Sequence, residues 1–147
     1  MKLKQISVFI ENSPARLYEV TNALADADIN LRALNLVDVA DYGVLRLLVS
    51  DLPKARRILM DMDIPARIED VVAVEIEDRP GQLAQLIRPL WEADVWLVYM
   101  YSFIGPTTGK AVMVCRFNDN DRAIEVLESS GCRLLDSEAF GRLDSSE

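Results

Sequence analysis

Apolar residues recur along this chain with two alternating periods. Ile6-Ser-Val-Phe-Ile10 and Val72-Ala-Val-Glu-Ile76 are strand-like runs, each followed by a Pro-containing turn. After each turn the apolar spacing becomes helical, at Leu17, Val20, Thr21 and Leu24, then at Leu83, Leu86, Ile87 and Leu90. That i, i+3, i+4, i+7 stripe predicts a helix with one buried face. Pro89 lies inside the second of these helices and predicts a kink or a shortening there. Two further strands come next, 29–38 and 44–50 in one half and 95–103 and 111–117 in the other, each pair joined as a hairpin. By alternation Ile29, Leu31 and Ala33, and Val95, Leu97 and Tyr99, are expected to face the helices. Leu34, Trp96, Val98 and Met100 are expected on the opposite face. A second helix follows in each half, with the stripe Ala55, Ile58, Leu59, Met62 matched by Ala123, Val126, Leu127, Ser130. A last strand is expected near Ala66–Asp70 and again near Arg133–Asp136.

The two halves are copies of one unit. Residues 14–31 align on residues 80–97 at an offset of 66, with Pro14/Pro80, Leu17/Leu83, Leu24/Leu90, Ala27/Ala93, Asp28/Asp94 and Leu31/Leu97 identical. Downstream the offset is 68, and the two extra residues fall in Gly105-Pro-Thr-Thr-Gly-Lys110, where a hairpin tip absorbs an insertion most easily. The order βαββαβ, twice, predicts an α+β fold. It consists of two ferredoxin-like repeats, each an antiparallel four-stranded sheet with two helices on one face. The repeats are expected at 1–70 and 71–147. Arg67-Ile-Glu-Asp runs into Val71-Val-Ala-Val without a Gly, Pro or Ser linker, so the repeats are expected to be coupled tightly.

Composition removes several function classes. The 147 residues carry a net charge of −8 and no histidine. His-based acid–base chemistry, Ser-His or Cys-His nucleophile pairs and His-ligated metals are therefore excluded. Two cysteines, Cys115 and Cys132, make neither a disulfide scaffold nor a four-cysteine zinc site. The acidic balance argues against nucleic-acid binding. No apolar stretch is long enough to span a membrane, and the N-terminal apolar run is too short for a secretory signal. A cytoplasmic protein is expected, with no cofactor and no metal.

The candidate chemistry lies in the turn between the first strand and first helix of each copy. It reads Glu11-Asn-Ser-Pro-Ala-Arg-Leu17 and Glu77-Asp-Arg-Pro-Gly-Gln-Leu83. Asn12, Ser13 and Asp78 are good N-cap residues, and the first amides of a helix can hold a carboxylate or phosphate. Gly81 lets a ligand or another backbone approach. The structural alternative is plain capping.

The pattern Asp78-Arg-Pro-Gly-Gln-Leu83 followed by a helix and Ala93-Asp-Val-Trp-Leu97 resembles the ACT domain, a small amino-acid-sensing module of metabolic regulators. Asn12-Ser-Pro-Ala-Arg-Leu17 with Ala27-Asp-Ile-Asn-Leu31 is the matching stretch of copy one. Nearly the whole chain resembles tandem ACT proteins without a catalytic domain. That resemblance implies pairing of domains edge to edge or face to face, with an amino acid held at the seam. Carried over, the ligand contacts are Asn12, Ser13, Pro14, Ala15, Arg16, Leu17 and Asn30 in copy one. In copy two they are Asp78, Arg79, Pro80, Gly81, Gln82 and Leu83. Copy one has Asn12 for the acid and Ala15 for the glycine, and copy two has Trp96 where the pattern has Asn. Each copy thus keeps half of the motif, so either one site is lost or one site is assembled from both.

The function expected is a non-enzymatic regulatory protein that binds a free amino acid, forms a homodimer and acts on a metabolic enzyme. The alternative is a ligand-independent regulatory subunit of an amino acid biosynthetic enzyme such as acetolactate synthase. An acylphosphatase-like enzyme, which shares this fold, lacks here a loop dense in donors and a placed general base.

Overall fold

The computed structural model describes residues 2–11, 13–104 and 109–142. Its elements are β1 (Leu3–Ile10), α1 (Pro14–Asp26), β2 (Leu31–Val39), β3 (Tyr42–Val49), α2 (Leu52–Asp61) and β4 (Ala66–Glu77). They continue with α3 (Gln82–Glu92), β5 (Leu97–Ile104), β6 (Lys110–Phe117), α4 (Asn120–Ser129), β7 (Arg133–Leu135) and α5 (Ser137–Arg142). The chain forms two compact units, residues 4–69 and residues 1–3 with 70–147. Strand neighbours run β2-β3-β1-β4 in the first unit and β7-β4-β6-β5 in the second. β4 continues without a break through the boundary at residues 69 and 70. Among the described residues no helix is long and apolar enough to cross a membrane.

Each unit has its own core between sheet and helices. In the first, Ile6, Val8, Leu45 and Leu47 of the sheet meet Val20, Leu24, Ala55 and Leu59 of the helices. In the second, Val72, Val74, Met113 and Cys115 meet Leu86, Leu90, Ala123 and Leu127. The helical stripes read from the sequence are therefore the buried faces. α3 runs through Pro89 to Glu92, and its 11 residues against 13 in α1 reflect a later start, not an early end.

All four long helices stop in the same way. The second residue after the helix, just past the C-cap, is left-handed: Asp28 at φ 58°, Asp63 at 56°, Asp94 at 58° and Gly131 at 80°. The next amide then donates back to the carbonyl of the last buried leucine. These bonds are Ile29 to Leu24 (3.0 Å), Ile64 to Leu59 (2.9 Å), Val95 to Leu90 (2.9 Å) and Cys132 to Leu127 (3.0 Å). This is the Schellman arrangement, in which the left-handed residue frees the chain to turn back and satisfy an orphan carbonyl. Asp tolerates that conformation better than most L-residues do, and Gly tolerates it without cost.

Two bulges reverse the expected faces of the edge strands. Register shifts between Leu31 and Ala33 in β2, and between Leu97 and Tyr99 in β5. Beyond each bulge the alternation changes phase. Ala33 pairs with Leu48 and Tyr99 with Arg116, so both lie on the helix-free face, contrary to simple alternation. Leu34 and Met100 pair with Leu47 and Cys115 and share the helix side, yet remain exposed. Tyr101 and Phe103 join Tyr99, and Phe103 meets Phe140 of α5 edge to face at 5.9 Å. α5 thus covers part of the helix-free face of the second unit; its six residues are too few for a periodic pattern to reveal. In the first unit that face carries buried polar groups: Gln5 Nε2 donates to Ser7 Oγ at 3.2 Å, and Ser7 Oγ to Glu69 Oε2 at 3.5 Å.

Both cysteines are free. Burial pushes the Cys115 thiol up to about 12, and burial also raises that of Cys132, which is only partly covered.

Three outcomes are expected from this architecture. Leu59→Ala or Leu127→Ala should lower urea-unfolding stability by about 2–5 kcal/mol, because each empties a fully buried site. Gly131→Ala should cost about 1–2 kcal/mol from backbone strain alone, since an added Cβ meets nothing within 4 Å. At pH 8 a thiol reagent should label Cys132 in the native protein and leave Cys115 untouched until the chain is unfolded.

Candidate functional site

The two strand-to-helix turns differ in how they open their helices. In the first unit Ser13 is the N-cap of α1, and its hydroxyl accepts from the Arg16 amide at 3.2 Å. The Ser13 amide donates to the Glu11 carbonyl at 2.9 Å, and Pro14 occupies the first helical turn. Ala15 is exposed, Leu17 packs against the core, and Arg16 is drawn along the helix to Glu19 at 2.8 Å. Asn12 lies outside the described residues. The Arg16 amide is thus already bonded to Ser13.

Asn30 is not brought to this turn within its own unit. It follows α1, whose 13 residues span about 20 Å. There its backbone is clasped by Ser50: the Asn30 amide donates to Ser50 Oγ at 2.9 Å, and the Ser50 amide to the Asn30 carbonyl at 3.0 Å.

In the second unit the helix starts later and without a side-chain cap. Gly81 is the N-cap of α3, at φ 87°, and no side chain accepts from the amides that follow. Asp78 therefore does not cap, contrary to its residue type. Its amide donates to the Gly109 carbonyl at 2.8 Å, and its carboxylate is exposed with no partner among the described residues. Arg79 turns back onto Glu77, Nε to Oε2 at 2.6 Å. Pro80 sits in the turn rather than in the helix. Gly81 is needed for its positive φ, not for a close approach, since a Cβ built there meets nothing within 4 Å. Copy one, with Ala15 at that place, continues as helix instead.

Next to this second turn lies a cleft of about 350 Å³ between α3, the exit of α4 and β4. Gln82 lines it, joined by Gln85, Glu75, Glu77, Lys110 and Arg133. Leu83 packs against the core beneath. The cleft presents both signs of charge, with Arg133 3.4 Å from Glu75 and Lys110 3.7 Å from Glu77. These four residues were missed in the sequence because they come from three different strands. Matched positions in copy one hold Phe9, Glu11, Tyr42 and Pro65, so the mixed-charge lining is particular to the second unit.

The chain is similar to several solved structures. Protein BT0572 from Bacteroides thetaiotaomicron shares 40% identity, with a TM-score of 0.88, over 95% of this chain and 96% of that one. The regulatory subunit of aspartate kinase from Thermus thermophilus, in a ligand-free form, matches at 15% identity and a TM-score of 0.63, over 86% and 91% of the two chains. The aspartate kinase of Clostridium acetobutylicum matches at 14% identity and a TM-score of 0.58, over 88% of this chain and 32% of the enzyme. The last two likenesses concern the fold. No curated protein matches the chain. The family profile described as ACT domain pair matches residues 1–142, the stretch that holds both βαββαβ units and both turns, and the chain belongs to that family.

Proposed function

We propose that this protein is a non-catalytic regulator that binds a free amino acid at the second strand-to-helix turn and the cleft beside it. The observation that carries the reading is the uncapped N-terminus of α3 next to the unpartnered carboxylate of Asp78. A zwitterion needs donors for its carboxylate and an acceptor for its ammonium. The Gln82 amide donates to the Arg79 carbonyl at 3.4 Å, so the Leu83 and Ala84 amides that follow it would supply the first and Asp78 the second. Gln82, Lys110 and Glu77 stand ready to select the side chain. A cleft of about 350 Å³ is of a size for one small ligand.

Regulatory subunits among the structurally similar proteins support an output through a metabolic enzyme. The turn of the first unit is self-capped, and Asn12–Leu17 with Asn30 form a binding set there only if a second chain completes it. Homodimerisation through an edge strand would supply that chain. β2 ends the first sheet with Leu34, Val37 and Val39 exposed, and β5 ends the second with Val98 and Met100 exposed. A long apolar strand edge is open to pairing.

A thermal-shift screen against the twenty amino acids tests the reading. A ligand at a hundred times its Kd should add about 2.7 kcal/mol, several degrees for a chain of this size. Asp78→Ala should abolish the shift, and Asn12→Ala should leave it. The reverse pattern would place the site in the first turn. No shift with any amino acid would sink the sensor reading and leave the ligand-independent subunit, of acetolactate synthase or another biosynthetic enzyme, as the account to pursue.

A further inference from the structure

Helix α2 carries an exposed surface that neither turn uses. A groove of about 480 Å³ lies beside it, lined by Leu52, Pro53, Arg56, Arg57, Met60 and Ile68. Met60 is 63% exposed, far more than a methionine that serves only packing. Arg56 and Arg57 have no side-chain partner among the described residues, in a chain of net charge −8. The combination is specific to the first unit. Sixty-eight residues on, the matched positions hold Asn120, Asp121, Ile124, Glu125, Glu128 and Asp136.

Such a lining suits an aromatic side chain flanked by acids. Guanidinium groups attract the face of an indole, most strongly when water is excluded. Methionine sulfur makes favourable contacts with aromatic rings. Arg, Met and Trp are also the residues enriched where proteins meet.

The second unit presents the complement. Trp91, near the end of α3, is 75% exposed, the highest value for a large apolar residue in the described chain. Copy one has Ala25 at that position. Glu92 and Asp94 stand beside Trp91 in sequence. The Asp94 carboxylate has no partner among the described residues, and Glu92 shares its charge with Arg88 at 3.2 Å. A tryptophan left bare in this way has roughly 150–250 Å² to gain by burial.

We propose that the groove on α2 receives Trp91 of a second copy of this chain, with the Asp94 and Glu92 carboxylates of that copy set against Arg56 and Arg57. Because groove and knob lie on different units, each chain offers one of each. The contact therefore either closes as a two-fold pair, in which it is made twice, or passes from chain to chain. It is separate from pairing at the β2 or β5 edges and does not depend on an amino acid being bound.

The test is sedimentation velocity of the full chain from 1 to 100 μM, with tryptophan emission read in a Trp96→Phe background so that Trp91 is the reporter. Association with a blue shift on concentration is expected. Trp91→Ala alone and the pair Arg56→Glu with Arg57→Glu should each lose that association, while circular dichroism and Tm stay as in the parent. The pair Glu92→Arg with Asp94→Arg should lose it too. Mixing the two charge-reversed proteins should restore hetero-association at least tenfold over either alone, which a merely misfolded variant would not do. A chain that stays monomeric at 100 μM overturns the proposal. So does association that survives all three variants, or one abolished by Val37→Lys in β2 and untouched by Trp91→Ala.

Discussion

A short bond made four times sets the layout of this protein. The amide three residues beyond each long helix donates to the carbonyl of that helix's last buried leucine, at Leu24, Leu59, Leu90 and Leu127. Each bond turns the chain sharply back, and it places the next apolar residue, Ile29, Ile64, Val95 or Cys132, against the same core. The following strand then starts from a fixed point. Without that turn neither the hairpins nor the returning strands would register with the sheet, and the one-sided burial that holds the helices would be lost. The left-handed residue that permits it costs an aspartate some backbone energy at three of the four places.

With the frame repeated so closely, the differences between the units become informative. α1 is closed by Ser13, so its first amides serve the fold. α3 opens on Gly81 with no side chain in that role; its first amide, that of Gln82, donates instead to the Arg79 carbonyl at 3.4 Å. The same strand-turn-helix device thus carries a side-chain cap in one copy and none in the other. In the polar lining beside it, Glu75, Lys110 and Arg133 are matched in the first copy by Phe9, Tyr42 and Pro65, and only Glu77 has a like residue there, Glu11.

The surface divides along the same line. Arg56 and Arg57 stand on the first unit and Trp91 on the second, and each has an unlike residue at the matched place in the other copy: Ile124, Glu125 and Ala25. Solvent-facing positions are where repeats can differ without disturbing the buried stripes. Burial by leucine and alanine at Leu59/Leu127 and Ala55/Ala123 allows little substitution, because a missing methyl group leaves a cavity.

The sequence by itself determined the element order, the duplication and the buried helical stripes, because these follow from periodicity, which is local. Ser13 as a cap and the absence of a linker before Val71 were also legible. Tertiary structure decided the rest. The bulges at 31–33 and 97–99 reverse the faces of Ala33 and Tyr99, and a bulge depends on the partner strand, not on the strand's own alternation. Asp78 has the composition of a cap, yet Gly81 ended the turn in a left-handed conformation and moved the helix start past it. The cleft residues come from β4, β6 and β7, and Phe140 reaches Phe103 from a helix of six residues. In each case the deciding contact joins positions far apart in the chain, and local spacing carries no record of it.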